Sequence, residues 1–340
     1  MTHIIDSPID WHALHAPKIA GRRLLVTGGA GFIGSHLIDA ILAAGGAVTV
    51  LDDLSTGDPR HVRDDAEHYR FVRGTILDQT TVEEAAADCD AIVHLAALGS
   101  VPQSVAEPTR YHQVNEIGTL RVLEAARTTG VRRVLLASSA AVYGNSELLP
   151  KHEDMPTDPA SPYAANKVAG ESMLKAYARA YQPLDTVSLR FFNIFGPRQN
   201  ANSAYAAAIA AFANRLSHGL APTIFGDGKQ SRDFCDVANV AHAILLAITR
   251  PDLLDGVSIN IACAESITVQ RLAEGMIQRF GRTSLQTIHE PERPGDVRHS
   301  LASIDRARGL LGYEPLVDFD TGLERTCDWY LRQAASEAAA

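Results

Sequence analysis

The sequence predicts an α/β fold: a Rossmann-type, doubly wound parallel sheet with a smaller C-terminal substrate-binding lobe. From Arg23 onward, short and continuously apolar runs alternate with longer helical segments, and a glycine-rich turn directly follows the first run. Continuously apolar strands that alternate with helices are typical of a parallel sheet covered by helices on both faces. The chain has 340 residues, enough for one large domain or two medium ones.

The predicted strands cover residues 24–27, 47–51, 69–72, 91–95 and 134–138. Helices lie between them, including one that follows the glycine turn to about Ala44 and a long one near residues 104–129. After about Phe192, Gly, Pro and Asn become frequent and the alternation breaks. We therefore predict an N-terminal arm (1–20), a Rossmann domain (21–192, with a return segment near 234–262) and a smaller C-terminal lobe (193–233 and 263–331).

Charge and composition exclude several classes of partner. Lys and Arg number 31 against 40 Asp and Glu, a net charge of −9 without a basic block, so neither nucleic acid nor an anionic membrane is expected as partner. The longest apolar stretch, near residues 204–213, is far shorter than the about 20 residues that a membrane span needs. The N-terminus lacks the features of a signal peptide and the four cysteines are widely spaced, so we expect a cytoplasmic protein with reduced thiols.

The first candidate site is the turn TGGAGFIG at residues 27–34, which places Gly28, Gly31 and Gly34 in G-x-x-G-x-x-G spacing. Glycine allows a tight turn and a close approach of the backbone to a pyrophosphate, and the following helix N-terminus offers free N–H groups. Asp52 and Asp53 end the next strand, where a carboxylate accepts hydrogen bonds from the adenosine ribose and repels a 2′-phosphate. The pattern predicts a dinucleotide site that favours NAD over NADP.

The second candidate site is the acid–base pair in SPYAANK, residues 161–167, with Tyr163 and Lys167 four positions apart. Ser161 can cap a helix that starts here, so both side chains are expected on one face of it. The Lys167 ammonium is expected to lower the pKa of the phenol towards neutrality, which would let Tyr163 exchange a proton near pH 7. Ser139, at the end of the fifth predicted strand, is the candidate donor to the same substrate oxygen.

Seven motifs extend the pattern over nearly the whole chain: TGGAGFIGSHL (27–37), HLAALGSVPQS (94–104), SSAAVYG (138–144), SPYAANK (161–167), LRFFNIFGPRQ (189–199), GDGKQSRDF (226–234) and RPGDVRHS (293–300). Together they resemble the extended short-chain dehydrogenase/reductases, and among them the nucleotide-sugar 4-epimerases. The sequence is most similar to the bacterial UDP-N-acetylglucosamine 4-epimerases, which carry AALGSVP, AYAA and GDVRHS in these places.

The resemblance implies a role for each matching residue. It makes Tyr163 the catalytic acid/base, Lys167 its partner and Ser139 the hydroxyl that orients the substrate. It implies NAD as cofactor, bound by Gly28, Gly31, Phe32, Ile33, Gly34, Asp52, Asp53, Thr75, Ile76, Leu95, Ala96, Ala97, Ser138, Tyr163, Lys167 and Phe192. It implies a UDP-sugar as substrate, bound by Ser100, Ser139, Tyr163, Asn193, Gln199, Ala207, Phe225, Arg232, Arg293, Asp296 and Ser300.

Two alanines narrow the reaction type. The related 4,6-dehydratases carry an Asp–Glu pair just after the serine or threonine, whereas this chain has Ala140 and Ala141, which transfer no proton. We therefore expect NAD-dependent epimerisation at carbon 4 of a UDP-hexose, through a 4-keto intermediate that is reduced again on its opposite face. No metal is expected, because none of the 13 histidines has ligand spacing and His94 is interpreted as structural.

Substrate choice within this class rests on fewer residues. The resemblance implies that a bulky aromatic residue at position 300 favours UDP-glucose and UDP-galactose, so the small Ser300 predicts UDP-GlcNAc and UDP-GalNAc. UDP-glucose/UDP-galactose stays open as an alternative, and so does UDP-glucuronate, because Arg298 could pair with a carboxylate. The rivals from other classes are a nucleotide-sugar reductase or decarboxylase and a non-catalytic dinucleotide sensor.

Three positions depart from the family's pattern. Thr75 stands where many relatives have an Asp near the adenine, and Asp236 and Ala238 replace the Tyr and Asp often seen after RDF. We expect local changes at these places. The resemblance also implies a homodimer, in which the helix near residues 104–129 and the helix that starts at Ser161 form a four-helix bundle with their copies.

Overall fold

The computed structural model describes residues 9–63, 67–200, 208–292 and 297–339. Its strands are β1 (Arg23–Thr27), β2 (Ala47–Asp52), β3 (Tyr69–Arg73), β4 (Ala91–His94), β5 (Arg133–Ser139), β6 (Asp185–Phe191), β7 (Ile194–Phe195), β8 (Thr223–Phe225), β9 (Ser231–Arg232), β10 (Cys235–Asp236), β11 (Val257–Ile261), β12 (Ile267–Thr268) and β13 (Ile288–Glu290). The five predicted strands are confirmed, each within one residue at either end.

The helices are α1 (Trp11–Ile19), α2 (Phe32–Ala43), α3 (Gln79–Ala86), α4 (Val101–Ala106), α5 (Pro108–His112), α6 (Gly118–Thr129), α7 (Pro162–Ala180), α8 (Ala208–Ser217), α9 (Val237–Ile248), α10 (Val269–Arg279), α11 (Asp305–Leu311) and α12 (Phe319–Ala339). Short turns of 3-10 helix lie at Pro59–His61 and Ala140–Tyr143. Among the described residues, no helix is both long and apolar enough to cross a membrane.

Seven strands form one parallel sheet in the order β3-β2-β1-β4-β5-β6-β11. The strand order reverses between β1 and β4, and in open sheets of this kind ligands bind in the crevice at that reversal. The other described strands form two-stranded pairs: β7 with β10, β8 with β13 and β9 with β12. This topology confirms the predicted Rossmann-type sheet, while the residue limits of arm, domain and lobe stay a prediction.

The long helix predicted near residues 104–129 is confirmed from Pro108 to Thr129, but a break separates it from α4. The helix breaks at Glu107, which has φ −126° and ψ 53°, because Pro108 disfavours helical geometry in the residue before it and has no N–H to donate. The chain resumes as α5, passes through a π-helical turn at Gln113–Ile117 and continues as α6. Gly130, in left-handed geometry at φ +77°, ends α6.

Alternating side chains of the strands supply two cores, one on each face of the sheet. On β1, Leu24 and Val26 belong to the core under α1, α2, α9 and α11, and Leu25 belongs to the core under α3, α6 and α7. A third core, with Phe212 and Leu272 at its centre, joins α8, α10 and α12 in the C-terminal lobe. The C-terminal lobe therefore has a core of its own, separate from the two cores on the faces of the sheet.

The N-terminal helix α1 is packed against the body. Trp11 and Ile19 are 5% and 0% exposed, and Asp10 caps the helix by accepting from the Ala13 N–H at 2.9 Å. His15 Nε2 lies 2.9 Å from Nδ1 of His242 on α9, a buried pair of rings. The described part of the arm is thus a docked element of the fold.

Candidate active site

The predicted dinucleotide residues come together at the reversal of the strand order. A cavity of about 1240 Å³ opens there between the glycine turn after β1 and the loops after β2, β3 and β4. The predicted residues that line it are Gly28, Gly31, Phe32, Ile33, Gly34, Asp52, Asp53, Thr75, Ile76, Leu95, Ala96 and Ala97. The Phe192 ring is fully buried instead, 6.2 Å from the ring of Tyr143, so it supports the site from within the core.

The glycine turn fits a pyrophosphate because no side chain can occupy it. Gly28 has φ +71°, and a Cβ there would lie 2.7 Å from the Ala96 backbone N; a Cβ on Gly34 would lie 2.4 Å from the Gly28 carbonyl oxygen. Gly31 starts α2 without any side-chain cap. The first N–H groups of α2 therefore point into the cavity uncapped, and a helix N-terminus of this kind attracts an anion.

Asp52 ties the end of β2 to the glycine turn. Its Oδ2 accepts from the Ala30 N–H at 2.9 Å and its Oδ1 from the Leu54 N–H at 2.8 Å. Burial raises the pKa of this carboxyl group, and the two backbone N–H groups oppose the rise. The neighbouring Asp53 is exposed in the cavity wall. The two aspartates therefore have different roles, since Asp52 holds the turn and Asp53 faces solvent.

The nearest arginine after these aspartates, Arg60, is held by another carboxylate. Its Nε donates to both oxygens of Asp58, at 3.0 and 2.9 Å. A guanidinium in this position would be the natural partner of a 2′-phosphate, and here it is already paired. The cavity wall therefore fits a dinucleotide with a free 2′-hydroxyl.

The acid–base pair is assembled by the start of α7 and the end of β5. Ser161 caps α7 by accepting from the Ala164 N–H at 3.2 Å, and the first turn then presents Tyr163 towards Ser139, whose side chain is hydrogen-bonded to it. Lys167 Nζ lies 5.7 Å from the centre of the Tyr163 ring. The structure thus brings together all three predicted catalytic residues.

The predicted lowering of the Tyr163 pKa towards neutrality is wrong in direction. Burial raises the pKa of Tyr163, and the hydrogen bond from Ser139 only partly offsets the rise. Burial also lowers the pKa of Lys167, to about 8, and its ammonium donates to the Ala137 carbonyl at 2.8 Å rather than to the phenol. Burial therefore sets the direction of the pKa shift at both residues.

A buried network that the sequence analysis missed lies beneath this pair. Glu171 Oε1 accepts from Ser138 Oγ at 2.5 Å and from Arg190 Nε at 2.9 Å, and Arg190 Nη1 donates to Tyr143 OH at 2.9 Å. Ser138 is 3% exposed with its hydroxyl bonded inward, so as a cofactor contact it stays a prediction. The available signal was the spacing, because Glu171 follows Lys167 by four residues and shares its helix face.

Histidine 94 has the structural role that the sequence predicts. Its ring lies between two threonine hydroxyls, 2.8 Å from Thr27 and 3.1 Å from Thr119. Burial lowers its pKa to about 3, so the ring is neutral. Among the described residues, no group of three or more His, Cys, Asp or Glu side chains could hold a metal ion.

The predicted substrate residues of the lobe are gathered around β9. Asn193 Nδ2 donates to the Asp233 carbonyl at 3.2 Å, Arg232 Nη1 donates to the Ser231 carbonyl at 2.9 Å, and the Ser300 N–H donates to the same Ser231 carbonyl at 3.0 Å. Phe225 ends β8 nearby, its carbonyl bonded to Gln230 Nε2 at 2.7 Å. Three further candidates lie outside the described residues: Ala207, Arg293 and Asp296.

Two other substrate candidates occupy different places. Ser100 caps α4 by accepting from the Gln103 N–H at 3.2 Å, and its own N–H donates to Tyr111 OH at 3.1 Å. Gln199 lines the cofactor cavity, with its amide donating to the Ile194 carbonyl at 3.0 Å. The structure therefore places Gln199 among the residues that line the dinucleotide cavity.

Arg298 is the residue because of which UDP-glucuronate stayed an alternative substrate. In the structure its guanidinium is bonded to two carboxylates. Its Nη2 donates to Asp227 at 2.7 Å and its Nη1 to Glu292 at 3.1 Å. Opposite charges on both sides raise the pKa of this guanidinium. A substrate carboxylate at this place would compete with two protein carboxylates.

The departures from the family's pattern have local explanations at two of three positions. Asp236 caps α9, with its Oδ1 accepting from the Ala238 N–H at 2.8 Å, and it lies 3.8 Å from Arg325 Nη1 on α12. The cap comes from position 236, so position 238 can be an alanine. Thr75 Oγ1 accepts from the Leu77 N–H at 3.3 Å at the cavity edge, and nothing in the structure explains its difference from an aspartate.

The chain is similar to sugar-nucleotide enzymes over most of its length. The model of the NAD-dependent epimerase/dehydratase family matches residues 24–262. A UDP-glucose 4-epimerase of Mycolicibacterium smegmatis is 39% identical over 312 residues, which cover 91% of this chain and 98% of that protein.

Solved structures agree. A UDP-N-acetylglucosamine 4-epimerase from Methanobrevibacter ruminantium, in complex with UDP-N-acetylmuramic acid, superposes with a TM-score of 0.87 at 38% identity, covering 92% of this chain and 99% of that one. A UDP-glucose 4-epimerase from Thermotoga maritima with UDP-glucose gives a TM-score of 0.86 at 34% identity, with the same coverage of 92% and 99%.

Proposed function

This chain belongs to the NAD-dependent epimerase/dehydratase family, and we propose that it is an isomerase that inverts carbon 4 of a UDP-hexose. The observation that carries the proposal is the trio of Tyr163, Ser139 and Lys167 at the carboxyl ends of the strands, beside a cleft that fits NAD. Both sites lie at the same edge of one sheet, where a nicotinamide and a sugar hydroxyl can meet.

The residues divide the proton chemistry between them. Ser139 donates a hydrogen bond to the substrate oxygen at carbon 4, and Tyr163 takes the proton of that hydroxyl and later returns it. Lys167 keeps a positive charge beside the phenol and favours its ionised form. When bound, NAD+ supplies the hydride acceptor, and the same hydride later reduces the 4-keto sugar again. Because the pKa of Tyr163 is raised by burial, the charge of Lys167 matters for each proton transfer.

The turn after β5 favours epimerisation over dehydration. Ala140 and Ala141 follow Ser139 in the 3-10 turn Ala140–Tyr143, and Ser139 Oγ accepts from the Ala141 N–H at 3.1 Å. No group in these two side chains can move a proton at carbons 5 and 6 of a sugar. Oxidation and re-reduction at a single carbon needs only the groups that are present.

The lobe residues around β9 are proposed to bind the UDP part. Arg232 would give the diphosphate a charge-assisted partner, Asn193 a second contact, and Phe225 a surface for the uracil. Arg293 and Asp296 belong to the same proposal from the sequence, outside the described residues. Anchoring through UDP would leave the sugar free to turn over between the two hydride transfers.

Among the UDP-hexoses we favour UDP-GlcNAc and UDP-GalNAc, with UDP-glucose and UDP-galactose as the second candidate. Ser300 is small, and its backbone is fixed to Ser231, so position 300 leaves room for a 2-acetamido group. UDP-glucuronate is disfavoured because Arg298, the basic side chain proposed to meet its carboxylate, is paired with Asp227 and Glu292.

The experiment that tests this function is proton NMR of the purified protein with UDP-GlcNAc, UDP-glucose or UDP-glucuronate, in separate tubes without added cofactor. We expect the 4-epimer to appear fastest from UDP-GlcNAc. Conversion of UDP-glucose alone would move the assignment to the second candidate. Absence of any epimer, also after NAD is added, would contradict the function and leave the reductase, decarboxylase or sensor.

The same family membership supports a homodimer built by α6 and α7. On the neighbouring α4, Val101 and Val105 are 41% and 64% exposed, an apolar strip that a second copy would cover. We expect sedimentation equilibrium to give twice the mass of 36.5 kDa. A monomer at micromolar concentration would contradict the dimer without affecting the catalytic assignment.

A further inference from the structure

The last three residues of β5 are each bonded to a side chain of α7. Ala137 accepts from Lys167 Nζ at 2.8 Å, and Ser138 Oγ donates to Glu171 Oε1 at 2.5 Å. The third residue, Ser139, is hydrogen-bonded to the catalytic tyrosine. Two of the three α7 side chains have a part in the proposed chemistry. Glu171, the third, has none so far.

Glu171 is held in place on both of its oxygens. Arg190 on β6 donates from Nε to Oε1 at 2.9 Å and from Nη2 to Oε2 at 2.7 Å, a bidentate pair. Ser258 Oγ on β11 adds a bond to Oε2 at 3.1 Å. Glu171 and Arg190 are only 8% and 4% exposed, so the carboxylate is fixed relative to three strands and cannot turn to solvent.

This fixed carboxylate acts on Lys167, one helical turn earlier. Burial lowers the pKa of Lys167 to about 8, and the charge of Glu171 opposes that fall. With a pKa so close to neutral pH, a small change in its surroundings alters the fraction of Lys167 that is charged.

The other groups that face Lys167 do not replace this effect. On β4, His94 is neutral, with a pKa lowered to about 3. On its own helix, the ring of Tyr163 lies 5.7 Å from Nζ, and burial raises the pKa of that phenol. Tyr111 on α5 adds to the rise in the pKa of Tyr163. Glu171 is the carboxylate that acts on Lys167 in the described part of the chain.

We propose that Glu171 is a positioning residue for the acid–base pair: clamped by Arg190, it keeps Lys167 charged and aligned beside Tyr163. The proposal rests on the proposed function, because the charge of Lys167 matters only where Tyr163 exchanges a proton. Glu171 itself touches no substrate atom, and Ser138 transmits its position to the strand end that carries Ser139.

The test compares Glu171→Gln with a matched control. Asp185→Asn removes the carboxylate of another buried arginine pair, Arg133–Asp185, at the opposite end of β5 and β6. The chain has five lysines, so lysines labelled with ¹³C at the ε carbon give few NMR signals, and Lys167→Met assigns the one of interest.

In wild-type protein we expect this signal to titrate with a midpoint near 8. In Glu171→Gln the midpoint should fall by about 1 pH unit or more, and the alkaline limb of kcat should move to lower pH by the same amount. In Asp185→Asn both should stay in place. Glu171→Asp should recover part of the wild-type midpoint.

An unchanged Lys167 midpoint in Glu171→Gln overturns the proposal, and so does an equal shift in Asp185→Asn. If Glu171→Gln does not fold, the double variant Glu171→Gln/Arg190→Met leaves no unpaired arginine in the core. It is expected to lower the midpoint by less, because the positive charge of Arg190 is removed together with the carboxylate, and an unchanged midpoint in it overturns the proposal as well. Absence of epimerisation by the wild-type protein would overturn the proposed function alone, since the titration of Lys167 needs no turnover.

Discussion

Two buried arginine–carboxylate pairs lie at opposite ends of β6, and they serve different purposes. At the amino end, Arg133 Nε donates to Asp185 Oδ2 at 2.7 Å. At the carboxyl end, Arg190 Nη2 donates to Glu171 Oε2 at 2.7 Å. The bond lengths and the burial are nearly the same. What differs is the set of groups that each pair holds.

The amino-end pair binds backbone groups of the segment that follows α9. Arg133 also donates to the carbonyl groups of Ala247, Arg250 and Asp252, and Asp185 accepts from the Leu254 N–H at 3.0 Å. The carboxyl-end pair holds instead the hydroxyl groups of Ser138, Tyr143 and Ser258. The comparison teaches that position along the strand decides whether a buried charge secures a loop or supports a reaction, because ligands meet a parallel sheet at its carboxyl edge.

The largest effect is expected at the carboxyl edge, from Tyr163→Phe. The variant keeps the ring and loses the hydroxyl that exchanges the proton, so turnover should fall by about 10²-fold or more. Thermal melting should change little. Tyr177→Phe is the matched control, because Tyr177 lies on the same helix and bonds Glu124 at 2.6 Å, away from the site. Near-normal turnover in Tyr163→Phe would contradict the claim that the carboxyl edge of the sheet supports the reaction through Tyr163.

The next effect is expected at the amino edge, from Asp185→Asn. Arg133 would be left buried without its counter-charge, which costs about 3–5 kcal/mol of unfolding free energy. Activity per folded molecule should stay the same. Urea unfolding gives the first quantity, and turnover below the unfolding transition gives the second. A large loss of activity in the folded variant would show that the amino edge also supports the reaction.

The smallest effect concerns the buried histidine pair that docks α1. Burial lowers the pKa of both His15 and His242 to about 4. In the unfolded chain histidine takes up its proton near pH 6.5, so the folded state loses stability as the pH falls from about 7 towards 4.

His15→Gln should therefore lose less melting temperature than wild type between pH 7 and pH 5, as measured by calorimetry at each pH. At pH 7 unfolding of the wild-type protein brings little protonation of His15. The two proteins should therefore differ in the pH dependence of their melting temperatures only in the acidic range. An equal loss in both proteins would mean that the docked helix does not sense pH through this pair.

The parts of the molecule that the sequence predicts are the ones built from neighbouring residues. The five strands and the glycine turn follow from short patterns, and Tyr163 and Lys167 share one helical face at a spacing of four. The break at Glu107 was not predicted, although its cause is also local, because Pro108 disfavours helical geometry in the residue before it.

The parts that escaped prediction depend on residues far apart in the chain. Glu171 and Arg190 lie on α7 and β6, and only the folded sheet brings them together. The raised pKa of Tyr163 likewise depends on burial by several elements. Sequence spacing identifies which charged residues are neighbours on a helix. The desolvation of a side chain can be assessed only from the packed structure.

The central claim is that the carboxyl edge of the sheet oxidises and reduces one carbon of a sugar. Its most direct test is epimerisation in D₂O. Proton NMR then measures the hydrogen bound to carbon 4 in the substrate and in its 4-epimer. Because the hydride that leaves carbon 4 returns to it, we predict that the new epimer keeps its proton at carbon 4 and gains no deuterium there. Deuterium at carbon 4 of the product would contradict the account, since it would mean exchange with solvent instead of hydride return.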